Sequence, residues 1–267
     1  MEKDGCFIVN ARGVRVVVPA FLGQLGLAGG YSVRTGHCGD LDFDLRGDKE
    51  WARILSNRRL IADAMSIDAA RLVLAEQVHG GSVAVVTEAD AGQGALSPTE
   101  TIPHVDALVT AAPNAPLVVM SADCVPVLLA DENRRAVAAV HSGWPGTVAR
   151  IAPAAVEALG GLGVAPGHLY ASIGPCIRQD AYEVGEDVRT KFRDAFTWAD
   201  EVFTMVGGRW HLDLAGAVVR QLLEAGVRDE RIFDCGLCTV ARNDLFYSFR
   251  KEGRAAGRMA GVIQING

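Results

Sequence analysis

Three side chains of metal-binding or nucleophilic type stand where apolar stretches end beside Gly or Pro. They are His79 in Gln77-Val78-His79-Gly80, Cys124 in Ala122-Asp123-Cys124-Val125-Pro126, and His141 in Ala139-Val140-His141-Ser142-Gly143. Loops at strand ends, held by a rigid scaffold, are where binding groups accumulate. One thiolate and two imidazoles make a three-ligand zinc set with its fourth position open to water or substrate. Zinc held in this way polarises a water or an oxyanion. Their spacing fits no zinc-finger pattern, so residue type alone leaves alternatives open. Each His can be a satisfied polar residue, and Cys124 a small core hydrophobe or a nucleophile with His141 as its base.

Two acids lie close by in sequence. Asp123 precedes Cys124, and Asp106 opens Asp106-Ala107-Leu108-Val109. Each can serve as a general acid or base, orient a histidine, or cap a turn. Cys235 and Cys238 form a Cys-x-x-Cys pair, but no second pair stands at ribbon spacing and no helix start follows, so a structural role is expected. Gly92-Gln93-Gly94 and Gly207-Gly208 lack the lysine and the strand-turn-helix setting of phosphate loops. Gly143-Trp144-Pro145-Gly146-Thr147 reads as a helix start capped by Thr147, either a simple turn or an anion-attracting N-terminus.

Composition bounds the possibilities. The 267 residues make one large domain or two small ones. Apolar residues at 49% and charged residues at 22% exclude a disordered or collagenous chain. The net charge of −6 and the short Arg58-Arg59 and Arg134-Arg135 pairs give no basic footprint, so nucleic acid is set aside as a partner. No apolar run is long enough to span a membrane, and Met1-Glu2-Lys3-Asp4 does not begin a signal peptide. The expected compartment is the cytoplasm, where the six cysteines stay reduced.

The elements that must position these residues read as follows. A strand covers 6–18, and the glycine-rich stretch 20–47 reads as loop. A helix runs from an Asp48 cap to Met65. Strands over 71–78 and 82–87 meet at Gly80-Gly81 in a hairpin or tight bend. Residues 88–103 form a polar loop. Strands then crowd over 107–110, 117–120, 125–130 and 136–140, with a hairpin turn at 131–135. Their unbroken apolar runs imply burial on both faces. Helices follow over 147–159, blemished by Pro153, then 184–196 and 213–224, the last closed by Gly226. Strands cover 169–173, 231–234 and 245–249. Without a steady β-α-β rhythm the expectation is an α+β fold, a single domain over 1–267 with a large mixed β-sheet flanked by helices.

Taken together, several segments resemble the YfiH family, also called the laccase-like multicopper polyphenol oxidase or peptidoglycan editing factor family. They are QVHG at 77–80, DALVT at 106–110, ADCVPVLL at 122–129, AVHSGW at 139–144, IGPCI at 173–177, YEVG at 182–185, LDL at 212–214, GLCT at 236–239, FYSFR at 246–250 and GR at 257–258. The resemblance implies one zinc ion per chain on His79, Cys124 and His141, with copper as the alternative. It implies phosphorolysis of adenosine, inosine or methylthioadenosine, with phosphate as co-substrate, adenosine deamination as a companion activity, and a link to peptidoglycan precursor editing. Cys124, His141, His79 and Asp123 are then the catalytic candidates. Arg34, Gln77, Asp106, Trp144 and Arg250 are the substrate-binding ones. The partner is a small-molecule nucleoside, and the chain a monomer or homodimer.

Two departures from the family pattern stand out. Where members read HAGWRG this chain has Pro145 in place of the arginine, and the family's TTRxGGVS segment is matched only loosely by Val33-Arg34-Thr35-Gly36-His37-Cys38-Gly39. Proline brings neither charge nor N–H donor, so phosphate-dependent chemistry should be weakened relative to hydrolytic or deaminating activity. One lost charge-assisted contact is worth about 1.5–3 kcal/mol, or roughly ten- to a hundred-fold in phosphate use. Pro145→Arg, assayed on adenosine with and without phosphate, should raise phosphorolysis by that factor. An unchanged rate would mean that another residue already does the work, or that an arginine here never reaches phosphate.

Overall fold

The apolar runs predicted as strands alternate strictly in what they bury. In the strand Val125–Asp131, Val127 and Leu129 join one core cluster while Leu128 and Ala130 join another. Val137–Ser142 behaves likewise, with Ala138 and Val140 on one side and Val137 and Ala139 on the other. A strand exposes side chains to its two faces with period two, so both faces of this sheet are covered. The same holds for Leu117–Ser121, where Leu117 and Val119 face the second cluster and Val118 and Met120 a third.

The computed structural model describes residues 5–36, 39–46 and 50–267. Among the described residues its strands form two six-stranded sheets, besides a small three-stranded and a two-stranded one. The first runs in the order Cys6–Ala11, Val14–Pro19, Ala28–Ser32, Met259–Gln264, Leu117–Ser121, Val73–Leu74. The second runs Ile232–Asp234, Leu169–Ile173, Val125–Asp131, Val137–Ser142, Ala107–Thr110, Val83–Val86. Each mixes antiparallel pairs with parallel ones at an edge. The second cluster lies between the sheets. The third packs helix Trp51–Ala64 against the outer face of the first sheet through Ile61 and Ala62. The first packs helices Ile151–Gly161, Glu186–Ala195 and Leu214–Glu224 on the outer face of the second. The α+β class holds, with the mixed strands shared between two sheets.

Several sequence expectations change for local reasons. The 6–18 stretch is a hairpin, because Arg12 and Gly13 both take positive φ (53° and 82°), the geometry of a tight two-residue turn. The glycine-rich 20–47 stretch contains helix Ala20–Leu25 and strand Ala28–Ser32. The runs before and after Gly80-Gly81 are not a hairpin, since Val73–Leu74 and Val83–Val86 belong to different sheets. Residues 147–159 divide into helices Trp144–Val148 and Ile151–Gly161 at Arg150, whose φ is 60°. Pro153 therefore sits in a first turn, where its missing N–H costs nothing. Gly143, not Thr147, caps the shorter helix, and the Thr147 hydroxyl turns back to the Gly143 carbonyl at 3.0 Å. The 245–249 stretch is a turn leading into helix Phe249–Glu252, while Met259–Gln264 is a central strand that periodicity left unassigned. The proposed Asp48 cap, the Met1–Asp4 start, and His37 and Cys38 lie outside the described residues.

Glycine lets two strands of the first sheet approach closely. Gly29 has φ 143°, and a Cβ there would stand 2.1 Å from the Val262 carbonyl oxygen of the neighbouring strand. Gly29→Ala combines a strained conformation with a backbone clash and should cost about 2–4 kcal/mol. Gly160, in a helix with nothing within 4 Å of its virtual Cβ, is the control. Gly160→Ala should be neutral or stabilise by up to about 1 kcal/mol through helix propensity. Urea unfolding of the two variants measures both.

Candidate metal centre

The chain passes between the sheets twice near one point. His79 lies on the passage from Val73–Leu74 to Val83–Val86, and Cys124 on the link from Leu117–Ser121 to Val125–Asp131. His141 sits near the end of its strand, opposite Pro126. These crossings bring the three together. Their ligand atoms all lie within 4.8 Å of one another, the one such grouping of three or more His, Cys, Asp or Glu side chains among the described residues. Cys124 Sγ is 3.8 Å from His79 Nε2. The two imidazoles meet edge to face, 4.8 Å between centroids. Tightening the set to the ~4 Å separation set by metal bonds of roughly 2.0–2.3 Å takes shifts of about 1 Å.

Asp106 holds the arrangement. It is fully buried. Its Oδ1 pairs with His141 Nδ1 at 2.8 Å and accepts the His79 N–H at 2.9 Å. Its Oδ2 accepts the N–H groups of Val78 and Gly80 at 3.2 and 2.7 Å. With Nδ1 engaged, His141 keeps Nε2 for a metal. The same bonds keep His79 at φ 61°, in the left-handed region. Burial alone would raise the Asp106 pKa, but the His141 bond and the backbone donors bring it below its ordinary value.

The electrostatics suit a ligand set. Burial pushes the Cys124 thiol up, but the charges and hydrogen bonds of His141 and His79 outweigh it and bring the pKa down to about 6. His141, whose burial acts the other way, is raised to about 9 by Cys124 and Asp106. The thiolate is thus available near neutral pH, and metal binding would release the imidazole proton. Space is matched as well. A Cβ on Gly143 would come 2.8 Å from His79 Cδ2 and 3.0 Å from Cys124 Sγ, so only glycine fits against these ligands.

The three residues line a cavity of about 700 Å³. Of the other residues singled out from the sequence, Gln77, Asp123 and Arg250 also line it, whereas Arg34, Asp106 and Trp144 do not. The Gln77 amide is fixed at both ends by the Met120 backbone, each bond 2.7 Å. Asp123, at φ 92°, has both oxygens engaged, one by the Thr239 hydroxyl at 2.5 Å and one by the Arg250 N–H at 2.6 Å. Arg250 donates to the Glu183 carbonyl and lies over the Tyr182 ring. Arg34 is taken up by a two-pronged bond to Glu252, and Trp144 packs against the first core cluster. Cys238 pairs through its backbone with Cys176 in an isolated bridge, and Cys235 is buried.

The structure adds cavity residues that sequence reasoning passed over: Asp44, Arg46, Tyr182, Phe249, Arg254 and Arg258. Arg250, Arg254 and Arg258 recur at four-residue spacing, and that was the available signal. The Arg254 side chain has no hydrogen-bond partner among the described residues. Arg46 is paired with Asp44.

A family model described as multi-copper polyphenol oxidoreductase laccase matches residues 26–266. A purine nucleoside phosphorylase of Deinococcus radiodurans is 39% identical over 237 residues, 88% of this chain and 85% of that protein. An adenosine deaminase, RL5, from an unknown prokaryotic organism is 34% identical, covering 77% of this chain and 79% of that one. The crystal structure of YlmD from Geobacillus stearothermophilus superposes with a TM-score of 0.91 at 29% identity, over 99% of this chain and 100% of that one. YfiH of Bacillus licheniformis gives 0.89 at 28% identity, over 97% of each chain.

Asp106→Asn keeps the size of the side chain but presents an amide where backbone N–H groups now donate. Metal affinity, measured by chelator competition, should fall about 10- to 100-fold, the usual cost of losing the partner that orients a ligand. The metal-free protein should also lose stability. That loss should be largest near neutral pH and shrink as pH falls through the depressed pKa of Asp106, where the wild-type carboxylate itself becomes protonated.

Proposed function

The chain belongs to the multi-copper polyphenol oxidoreductase laccase family, and from that premise we propose that it is a zinc-dependent purine nucleoside enzyme using the cavity beside His79, Cys124 and His141. The family and its relatives make it an enzyme of the purine nucleoside phosphorylase and adenosine deaminase type. The observation that carries the finer reading is the meeting of two imidazoles and a low-pKa thiol in a cavity walled by arginines. On this reading residues 1–267 act as a single domain in the cytoplasm, as a monomer or homodimer.

His79, Cys124 and His141 would hold the zinc ion, which would supply Lewis-acid polarisation of an oxygen. The protein's own groups do the rest. Asp106 fixes the ring of His141 so that its Nε2 points to the site. Phe249, half exposed, and Tyr182 offer flat faces to a purine. Arg254, whose side chain has no hydrogen-bond partner among the described residues, and Arg250 provide guanidinium donors for phosphate oxygens. Phosphorolysis transfers the ribose C1′ from the base to phosphate, and deamination exchanges the purine amino group for a water oxygen. Both can be served by one cavity that seats a nucleoside between a cationic wall and an electrophilic centre. Cations on the cavity wall also bear on Pro145, which lies in the first turn of helix Trp144–Val148 and does not line the cavity.

Copper is the second reading. It is favoured by the family description, and a His₂Cys set is one that copper also takes. Six histidines in the chain are too few to furnish a four-copper centre beside this site.

Metal analysis of protein purified without added metal should give about one zinc per chain. Several copper atoms would sink the zinc reading. Cys124→Ala should lose both metal and activity while keeping its circular dichroism, because a chain of this length buries core enough without a metal staple. Arg254→Ala should raise the KM for phosphate about ten- to a hundred-fold, the worth of a charge-assisted bond, and leave adenosine deamination nearly unchanged. Equal losses in both activities would remove Arg254 from the phosphate role.

A further inference from the structure

One wall of the cavity is built from chain with no regular secondary structure. Residues 41–46 are neither helix nor strand, yet they carry Asp44 and Arg46 into the cavity. The same stretch fastens a second cavity arginine. The Arg258 N–H donates to Asp42 Oδ1 at 2.9 Å, and the Phe43 N–H donates to the Arg258 carbonyl at 3.1 Å. Such backbone needs outside partners to hold one conformation.

Those partners come from two consecutive residues of helix Trp51–Ala64. Asn57 donates its amide to the Asp42 carbonyl at 2.9 Å. Arg58, only 2% exposed, donates Nε to the Phe43 carbonyl at 3.0 Å and Nη1 to the carbonyls of Gly94 and Ala95, each at 2.7 Å. Its guanidinium also lies over the Phe43 ring, 4.9 Å from the centroid. Among the described residues no carboxylate stands at ion-pair distance from it. A buried cation bonded to carbonyls of two separate loops is an expensive choice for mere packing. Asp42 and Asp44 offset its charge from a distance, against burial that brings its pKa down to about 10. The flat fork with several fixed donors and a stackable face is a property of arginine and not of lysine.

Resting on the reading of the cavity as a nucleoside site, we propose that Arg58 is a positioning residue for substrate binding: it clamps the 41–46 wall to the Gly94-Ala95 loop and so sets Arg46 and Arg258 against the bound substrate. It touches no substrate itself, since it does not line the cavity. Its action is through the wall, so it governs how tightly substrate is held and not the metal ligands, which belong to other segments.

The test compares wild type, Arg58→Lys and Arg58→Met as metal-loaded full-length protein. Amide hydrogen exchange of 42–46 and 258 should accelerate roughly tenfold or more in both variants, while the strand Val125–Asp131 stays protected. The KM for adenosine should rise about tenfold, with kcat and metal content within about twofold of wild type. Lysine should fail as methionine does, because charge alone does not restore the fork. Unchanged exchange at 42–46 would overturn the clamp. Faster exchange with an unchanged KM would overturn its role in substrate binding, leaving only a structural one. Wild-type protein that turns over no nucleoside overturns the functional reading and the substrate half of the proposal together. The exchange measurement separates that failure from a failure of the clamp.

Discussion

A single buried carboxylate gathers the site. Asp106 accepts three backbone N–H bonds and pairs with one imidazole nitrogen. An ionised carboxylate taken out of water is tolerated only when its lone pairs are met by donors, and charge-assisted bonds of this kind are about twice as strong as neutral ones. The bonds are satisfied in one arrangement only: residues 78–80 turned inward, with His79 left-handed, and the ring of His141 held by Nδ1. Left-handed backbone at a non-glycine residue costs on the order of 1 kcal/mol or more, and Asp106 offsets it. The ligand geometry is therefore a consequence of one charge finding its partners.

The sheets make that possible. Asp106 immediately precedes the strand Ala107–Thr110, which pairs with the strand carrying His141. The N–H of His141 in turn bonds to the Asp106 carbonyl at 2.7 Å. Cys124 and His79 reach the same point from links that leave one sheet for the other. The central strands of both sheets are buried on both faces, so their ends cannot shift without opening a core, and the crossings inherit that rigidity. Cores of this density leave the variable chemistry to loops and turns. The cavity wall at 41–46 is of that kind, and it joins the short helical segment that begins with Phe249–Glu252 in bringing the arginines.

Charge is unevenly spread as a result. The chain is acidic overall, yet its cavity is lined by Arg46, Arg250, Arg254 and Arg258 against Asp44 and Asp123. Both acids are already bonded within the protein, Asp44 to Arg46 and Asp123 to Thr239 and the Arg250 backbone. The charge balance of the cavity lining favours an anion beside His79, Cys124 and His141.

Much of the scaffold was legible in the sequence. Apolar runs such as Leu117–Ser121 and Val125–Asp131 announced strands buried on both faces, because hydrophobicity without alternation means two covered faces. The helix expected over 213–224 was equally local, and it forms as Leu214–Glu224. His79, Cys124 and His141 were legible as ligand types at strand ends. Periodicity could not tell that those strands divide between two sheets, since a strand carries no mark of the sheet it joins. It also missed Met259–Gln264, whose neighbours Ala28–Ser32 and Leu117–Ser121 lie far off in sequence. Arg34 and Arg254 look alike as residues. Only the fold gave the first to Glu252 and left the second facing the cavity, because what a guanidinium can bind depends on which acceptors the tertiary structure brings within reach. Residue types fixed the chemistry available to this protein, and the crossings between its sheets decided which of those groups could act on one point.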